Sequence, residues 1–289
     1  MKALRRILVA LVITSLVMTG IVVGLFAVYT WNREPLPLSD QCAASVADMT
    51  VPVSPEQAEN LSVIVGVATQ RGLAPRASTI AIATVYQESG IRNLTYGDRD
   101  SLGLFQQRPS QGWGTPEQVR DPYHASERFY AALVEVPDWR TGDVNDVAQA
   151  VQRSGHPNGY AKHVENARRL ASALTGETPA SFSCRVSDPP PGDPEALATF
   201  LERTLPSSSR VTRTSDRVTV RAATESLAWS AASLAIANHH RFGLAGVEVA
   251  GRSWTPSPRD LAPWVGEPSG GSTVVIRFDV KPSPTPSGR

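Results

Sequence analysis

The chain has 289 residues, 41% of them hydrophobic, and a formal net charge of +1 at pH 7. That length allows about two domains besides tails, and the hydrophobic fraction is enough for a packed core. Near-neutrality, with no long run of either charge, argues against a dedicated nucleic-acid binder and against a charged interaction tail.

At the start, Lys2, Arg5 and Arg6 precede an uncharged apolar run from Ile7 to Tyr29. About 20 apolar residues suffice to cross a bilayer as one helix, and the basic flank predicts a cytoplasmic N-terminus. Residues 1–31 are therefore expected to form a basic flank and a single-pass transmembrane anchor, with the remainder outside the membrane. The rival reading is a secreted protein released by cleavage of a signal peptide. The run closes on Ala27-Val28-Tyr29-Thr30-Trp31, which lacks a clean small-x-small site and places two aromatics suited to an interface. Residues 32–52 read as a Pro-containing linker.

Helix signals then follow densely. Ser54-Pro55-Glu56-Gln57 is a capping box with Pro at the first helical position, and the helix stops at Gly72. Pro75 or Arg76 opens a helix through Glu88, with Gly90 as its stop. Thr115-Pro116-Glu117-Gln118 repeats the capping box, Asp121-Pro122 opens a helix to about Leu133, Asp143 caps one to about Arg153, and another runs from Gly159 to Leu174. No strand pattern is seen between them, so residues 53–184 are expected to be an all-α domain.

The chemistry concentrates at Tyr86-Gln87-Glu88-Ser89-Gly90 and, after a polar loop, at Ser101-Leu102-Gly103-Leu104-Phe105-Gln106. A carboxylate at the end of a buried helix has its charged form disfavoured, which suits a general acid. Glu88 is the candidate. A third segment, Ala150-Val151-Gln152-Arg153-Ser154-Gly155, is followed by Tyr160. Trp113, between Gly112 and Gly114, either stacks on a ligand or anchors its loop.

Glu-Ser, a polar loop and Ser-Leu-Gly-Leu-Phe-Gln together resemble the signature of the lysozyme-like lytic transglycosylases, over residues 54–174. The resemblance implies a lysozyme-like fold that cleaves the bond between N-acetylmuramic acid and N-acetylglucosamine in peptidoglycan. It implies Glu88 as acid/base, Ser89, Ser101 and Gln106 as substrate contacts, and Gln106 facing an acetamido sugar. The third segment departs from the family's Ala-Tyr-Asn-x-Gly pattern: Gln152 stands for Asn, Val151 for Tyr, and one extra residue precedes Gly155. Gln152 and Tyr160 are its candidate contacts, with Tyr160 either near Glu88 or a packing aromatic. In that family one Glu serves twice, and the substrate's acetamido group assists. A hydrolysing lysozyme would need a second carboxylate, for which Asp98 and Asp100 are the candidates; turn residues are their alternative role. A glycan-binding scaffold of an envelope assembly is the non-catalytic alternative.

Cys42 and Cys184 bracket this region at a spacing that fits no redox or zinc motif, and outside the cytoplasm they are expected to pair as a disulfide. Asp188-Pro189-Pro190-Pro191-Gly192-Asp193 reads as a stiff linker, residues 185–193. Beyond it, residues 194–280 read as a small α+β domain. It would hold a helix from Pro194 to Leu205, a strand at Arg217–Arg221, a helix at Glu225–Arg241, and strands at Leu244–Val249 and Thr273–Phe278. This domain carries no motif and is the candidate surface for envelope protein partners. Residues 281–289 read as a disordered Pro/Ser tail. No phosphate loop, zinc cluster or EF-hand series is present, so no cofactor and no metal is expected; adjacent His239 and His240 point different ways on a helix.

Overall fold

The computed structural model describes residues 11, 13–25, 39–153 and 158–279. Contacts divide the chain into two compact units, Met1–Ser39 and Asp40–Arg289. In the first, residues 13–25 are helical; at 1.5 Å per residue they extend about 20 Å, short of a roughly 30 Å hydrocarbon core. Among the described residues no helix is long and apolar enough to cross a membrane. This corrects the expected single-pass anchor and the membrane localisation built on it. The rest of the run from Ile7 to Tyr29, with linker residues 32–38 and the tail 281–289, lies outside the described residues.

The second unit opens with strands rather than a linker, which corrects the all-α expectation. β1 (Gln41–Val46) and β2 (Met49–Val53) form a hairpin, and β3 (Phe182–Arg185) pairs on the other side of β1, giving an antiparallel sheet of order β2-β1-β3. The hairpin turn places Ala47 at φ 50° and Asp48 at φ 59°, both left-handed. Such a turn normally advertises itself by Asn-Gly or Asp-Gly, so Ala-Asp hid it. Pro52 hid the strand, yet β2 is an edge, where a missing N–H is tolerated. Cys42 and Cys184 are directly opposed on β1 and β3 and form the expected disulfide, S–S 1.98 Å.

Helices follow as α1 (Pro55–Gln70), α2 (Pro75–Ser89), α3 (Pro116–Arg120), α4 (Pro122–Val134), α5 (Val144–Gln152) and α6 (Val164–Leu174). Ser54 and Thr115 make the expected capping boxes, and Gly90 caps α2 in the left-handed region. α1 is buried all round from Asn60 to Ala68, which marks a helix enclosed on every side.

What encloses α1 includes the C-terminal region. That region comprises α7 (Pro194–Thr204), β4 (Arg210–Arg213), β5 (Arg217–Arg221), α8 (Glu225–Ala237), α9 (His239–Phe242), β6 (Leu244–Val249), β7 (Arg252–Trp254) and β8 (Thr273–Phe278). Its five strands form an antiparallel sheet of order β4-β5-β8-β6-β7. The helix expected over Glu225–Arg241 is split at Asn238, whose buried amide donates to Ser62 Oγ at 2.8 Å and to Leu234 O at 2.8 Å. α7 and α8 both pack on α1. Gly66 makes the first approach feasible: a Cβ there would lie 2.5 Å from Thr204 Cγ2. The two sequence regions thus share one hydrophobic core.

Candidate active site

Glu88 lies on the last turn of α2, half-buried. The helix ends there because Gly90 and Ile91 both take left-handed backbone, φ 63° and 61°. A buried, β-branched residue in that region is an outlier, and its surroundings hold it. Gln57 Nε2 donates to Gly90 O at 2.8 Å and Asn60 Nδ2 donates to Ile91 O at 3.0 Å, both from α1. Ile91 N closes the turn on Val85 O.

Ser89 points the other way and is buried. Its hydroxyl donates to Leu104 O at 2.7 Å and accepts from Arg92 N at 3.3 Å. The Glu-Ser pair is therefore stitched directly to the Gly-Leu-Phe-Gln segment. Phe105, fully buried, stacks on Phe129 at 4.6 Å, and Gln152 Nε2 donates to its carbonyl at 2.8 Å. The end of α5 is thereby tied to the second segment, although Gln stands where the family's pattern has Asn.

Tyr160 is fully buried, and its hydroxyl donates to Glu88 Oε1 at 2.6 Å. Asn145 Oδ1 accepts from Tyr160 N at 3.2 Å, which fixes the chain where it returns to the site. Residues 154–157, including Ser154 and Gly155 of the third segment, lie outside the described residues.

The remaining candidates sit elsewhere. Gln106 is turned into the loop: its amide donates to Tyr96 O and Gly103 O at 3.3 and 3.2 Å, and Gly97 leaves room for its Oε1, which a Cβ there would meet at 1.9 Å. Ser101 is buried, with its amide on Asp98 O. Asp98 has a side chain 91% exposed, near Arg99 at 3.9 Å. Asp100 accepts from Ser110 N at 2.8 Å and from Arg108 Nε at 2.7 Å. The Ser110 amide and then the Arg108 guanidinium hold its carboxyl well below the usual carboxylate range. Both oxygens are committed to pinning the loop.

Three participants were not foreseen. Gln57 and Asn60 were read only as helix residues, although a capping-box Gln and a polar residue amid an apolar run were visible. His163, three residues after Tyr160, stacks on Tyr86 at 5.2 Å with its Nε2 3.3 Å from Gln87 Oε1; burial lowers its pKa. Beside Gln152 opens a cleft of about 610 Å³, lined by Trp113, Arg128, Glu135 and Arg153 over alanines of α4 and α5. Trp113 borders this cleft while packing against the core.

No family model and no curated protein matches this chain. What its site can do is therefore argued from the site itself: one half-buried carboxylate with a phenol on it, a polar rim and a neighbouring cleft. Among the described residues no three His, Cys, Asp or Glu are placed to hold a metal ion.

Proposed function

We propose that this chain is a lytic-transglycosylase-like glycosidase acting on the bond between N-acetylmuramic acid and N-acetylglucosamine of peptidoglycan. The observation that carries the reading is the 2.6 Å hydrogen bond from Tyr160 to Glu88, between residues 72 apart in sequence. It joins the Glu-Ser segment to the returning chain at one carboxylate. Glu88 protonates the glycosidic oxygen as the C1–O bond breaks, and the substrate's acetamido oxygen closes on C1. Glu88, now a carboxylate, takes the proton of the C6 hydroxyl, whose oxygen displaces the acetamido group and leaves a 1,6-anhydro end. The sequence needs one carboxylate and no water. That suits a site whose candidate second carboxylates are, respectively, out in solvent and locked in an ion pair. The Cys42–Cys184 disulfide supports action in an oxidising compartment, where such bonds persist.

The test is digestion of purified peptidoglycan by the full chain and by Glu88→Gln, with mass analysis of the released muropeptides. Products lighter by one water than reducing ends, absent with the variant, are expected. Ordinary reducing ends would make it a hydrolase. Binding without any product would make it a scaffold.

A further inference from the structure

The overall charge of +1 conceals a sorted distribution. On alternate positions the strands of the C-terminal sheet carry Arg210, Arg217, Arg221 and Arg277 against a single carboxylate, Glu248, while Arg213 and Arg252 stand in register with Val218 and Val249. One face of this sheet is covered: Val218, Val220, Val274, Ile276, Val247 and Val249 are buried on the side where α7 and α8 pack. The alternate residues form the other face. There Arg210 is directly opposite Arg221, and Arg217 directly opposite Arg277. Between the pairs lie Thr212, Thr219 and Val275.

Directly opposed side chains on a sheet stand about 5 Å apart, and like charges in that relation are destabilising. Two such pairs recur four residues apart on β5, about 14 Å along the strand. Glu248 pairs with Arg277 and relieves one side of one pair. Arg210, Arg217 and Arg221 are exposed. A face that keeps two like-charge pairs is arranged for a ligand that neutralises both at once.

We propose that the open face of this sheet docks an extended polyanion, the phosphodiester chain of an anionic wall glycopolymer. Guanidinium forks pair with phosphate oxygens bidentately. A single small anion cannot reach both pairs; a chain with repeated charges can. The strands place no aromatic ring on this face, so nothing there stacks a base; its aliphatic side chains are half-buried Val275 and, bridged to Ser253 at the edge, exposed Val265, too few for a membrane-inserting apolar surface. The disulfide places such a partner outside the cytoplasm. The choice of a wall polymer rests on the glycosidase reading, but the test measures binding and reads no bond cleavage, so the two fail separately.

The experiment compares the full chain with Arg210→Ser/Arg217→Ser/Arg221→Ser, and with a control triple, Arg140→Ser/Arg168→Ser/Arg259→Ser. The probe is labelled poly(glycerol phosphate) in a salt series. The sheet variant is expected to bind at least about tenfold more weakly, with a log–log salt slope shallower by about 2, since each lost phosphate contact removes about 0.7. The control should bind as the unmodified chain does. The sheet variant should also melt no lower, because its substitutions remove like-charge pairs. No binding by the unmodified chain, or equal loss in both triples, would overturn the proposal. So would a lower melting temperature for the sheet variant. Tighter binding to a single-stranded oligonucleotide, or to phosphatidylglycerol vesicles, with the same sensitivity would assign the face to those partners and overturn it as well.

Discussion

Tyr160→Phe is the sharpest probe of the candidate site. The ring is fully buried, so the substitution keeps the packing and removes one oxygen. What is lost is the 2.6 Å hydrogen bond to Glu88 Oε1. Once Glu88 has given up its proton, that bond is to a charged group, which contributes about 1.5–3 kcal/mol. At 1.36 kcal/mol per tenfold, that corresponds to a rate loss of roughly 10- to 150-fold if the bond orients Glu88 during reaction. The loss should fall on kcat with KM little changed, because the hydroxyl acts on the acid and not on remote binding. Soluble muropeptide release at several peptidoglycan concentrations separates the two. A cycle with Glu88→Gln sharpens the logic: with the acid gone, adding Tyr160→Phe should cost nothing further. A Tyr160→Phe protein with kcat within about twofold of the unmodified chain would refute the reasoning and reduce Tyr160 to a packing aromatic.

Three further outcomes follow from the fold. Cys42→Ser/Cys184→Ser opens a loop of 142 residues; the chain-entropy treatment gives a loss of about 5 kcal/mol, and measured values of about 2–5 are usual, so denaturant midpoints should fall sharply. Gly66→Val drives a side chain into Thr204, whose Cγ2 lies 2.5 Å from where a Cβ would stand; overpacking costs about 1–3 kcal/mol, and Thr204→Gly in the same chain should recover part of the melting temperature. His239 is fully buried, with its Nδ1 accepting from Leu244 N at 3.1 Å, and burial, then the neighbouring His240, push its pKa down to about 4 while Asp40 opposes. A depressed histidine stabilises the fold above its unfolded pKa near 6.5, and that contribution, about 3 kcal/mol, is lost as pH falls from 6.5 to 4. His239→Asn, whose Oδ1 can still accept from Leu244 N, should show a flatter stability profile over that window in urea melts.

The helical part of the fold was legible because its punctuation is local. Ser54, Thr115, Asp121 and Asp143 cap the helices they announced, and Gly90 ends α2. The first sheet was not legible, because Gln-Cys-Ala-Ala-Ser-Val has little β-branched content and its partner contains Pro52. Its stability comes from pairing with Phe182–Arg185, well over a hundred residues away, which no window along the chain can see. The anchor was misjudged for a different reason: apolar length was counted over Ile7–Tyr29, whereas the described helix is shorter. At the candidate site, Glu88 and Ser89 were singled out by motif and lie where α2 ends, whereas Gln106 was expected to face an acetamido sugar and its amide donates to Tyr96 O and Gly103 O of its own loop. The orientation of a side chain on a left-handed residue, here Gln106 at φ 48°, is a tertiary property.

α1 explains why the C-terminal region is more than an appendage. Gln57 and Asn60 reach forward to the carbonyls of Gly90 and Ile91, and so hold the left-handed turn that follows Glu88 and Ser89. From the same helix, Glu59 accepts from Arg241 Nη1 at 2.7 Å and meets His240 Nε2 at 3.2 Å. Ser62 accepts from Asn238, and Gly66 seats Thr204. The contacts interleave along three turns, so one rigid element faces the candidate acid on one side and the C-terminal helices on the other. From Asn60 to Ala68 the helix is buried all round and has no solvent-facing side. Remove α7 and α8, and the residues of α1 that they bury would meet water. The loss would reach the turn that carries Glu88, because that turn is pinned to the same helix. The C-terminal region is thus part of what keeps the site in place, and its open sheet face, turned away from those helices, is left for another partner.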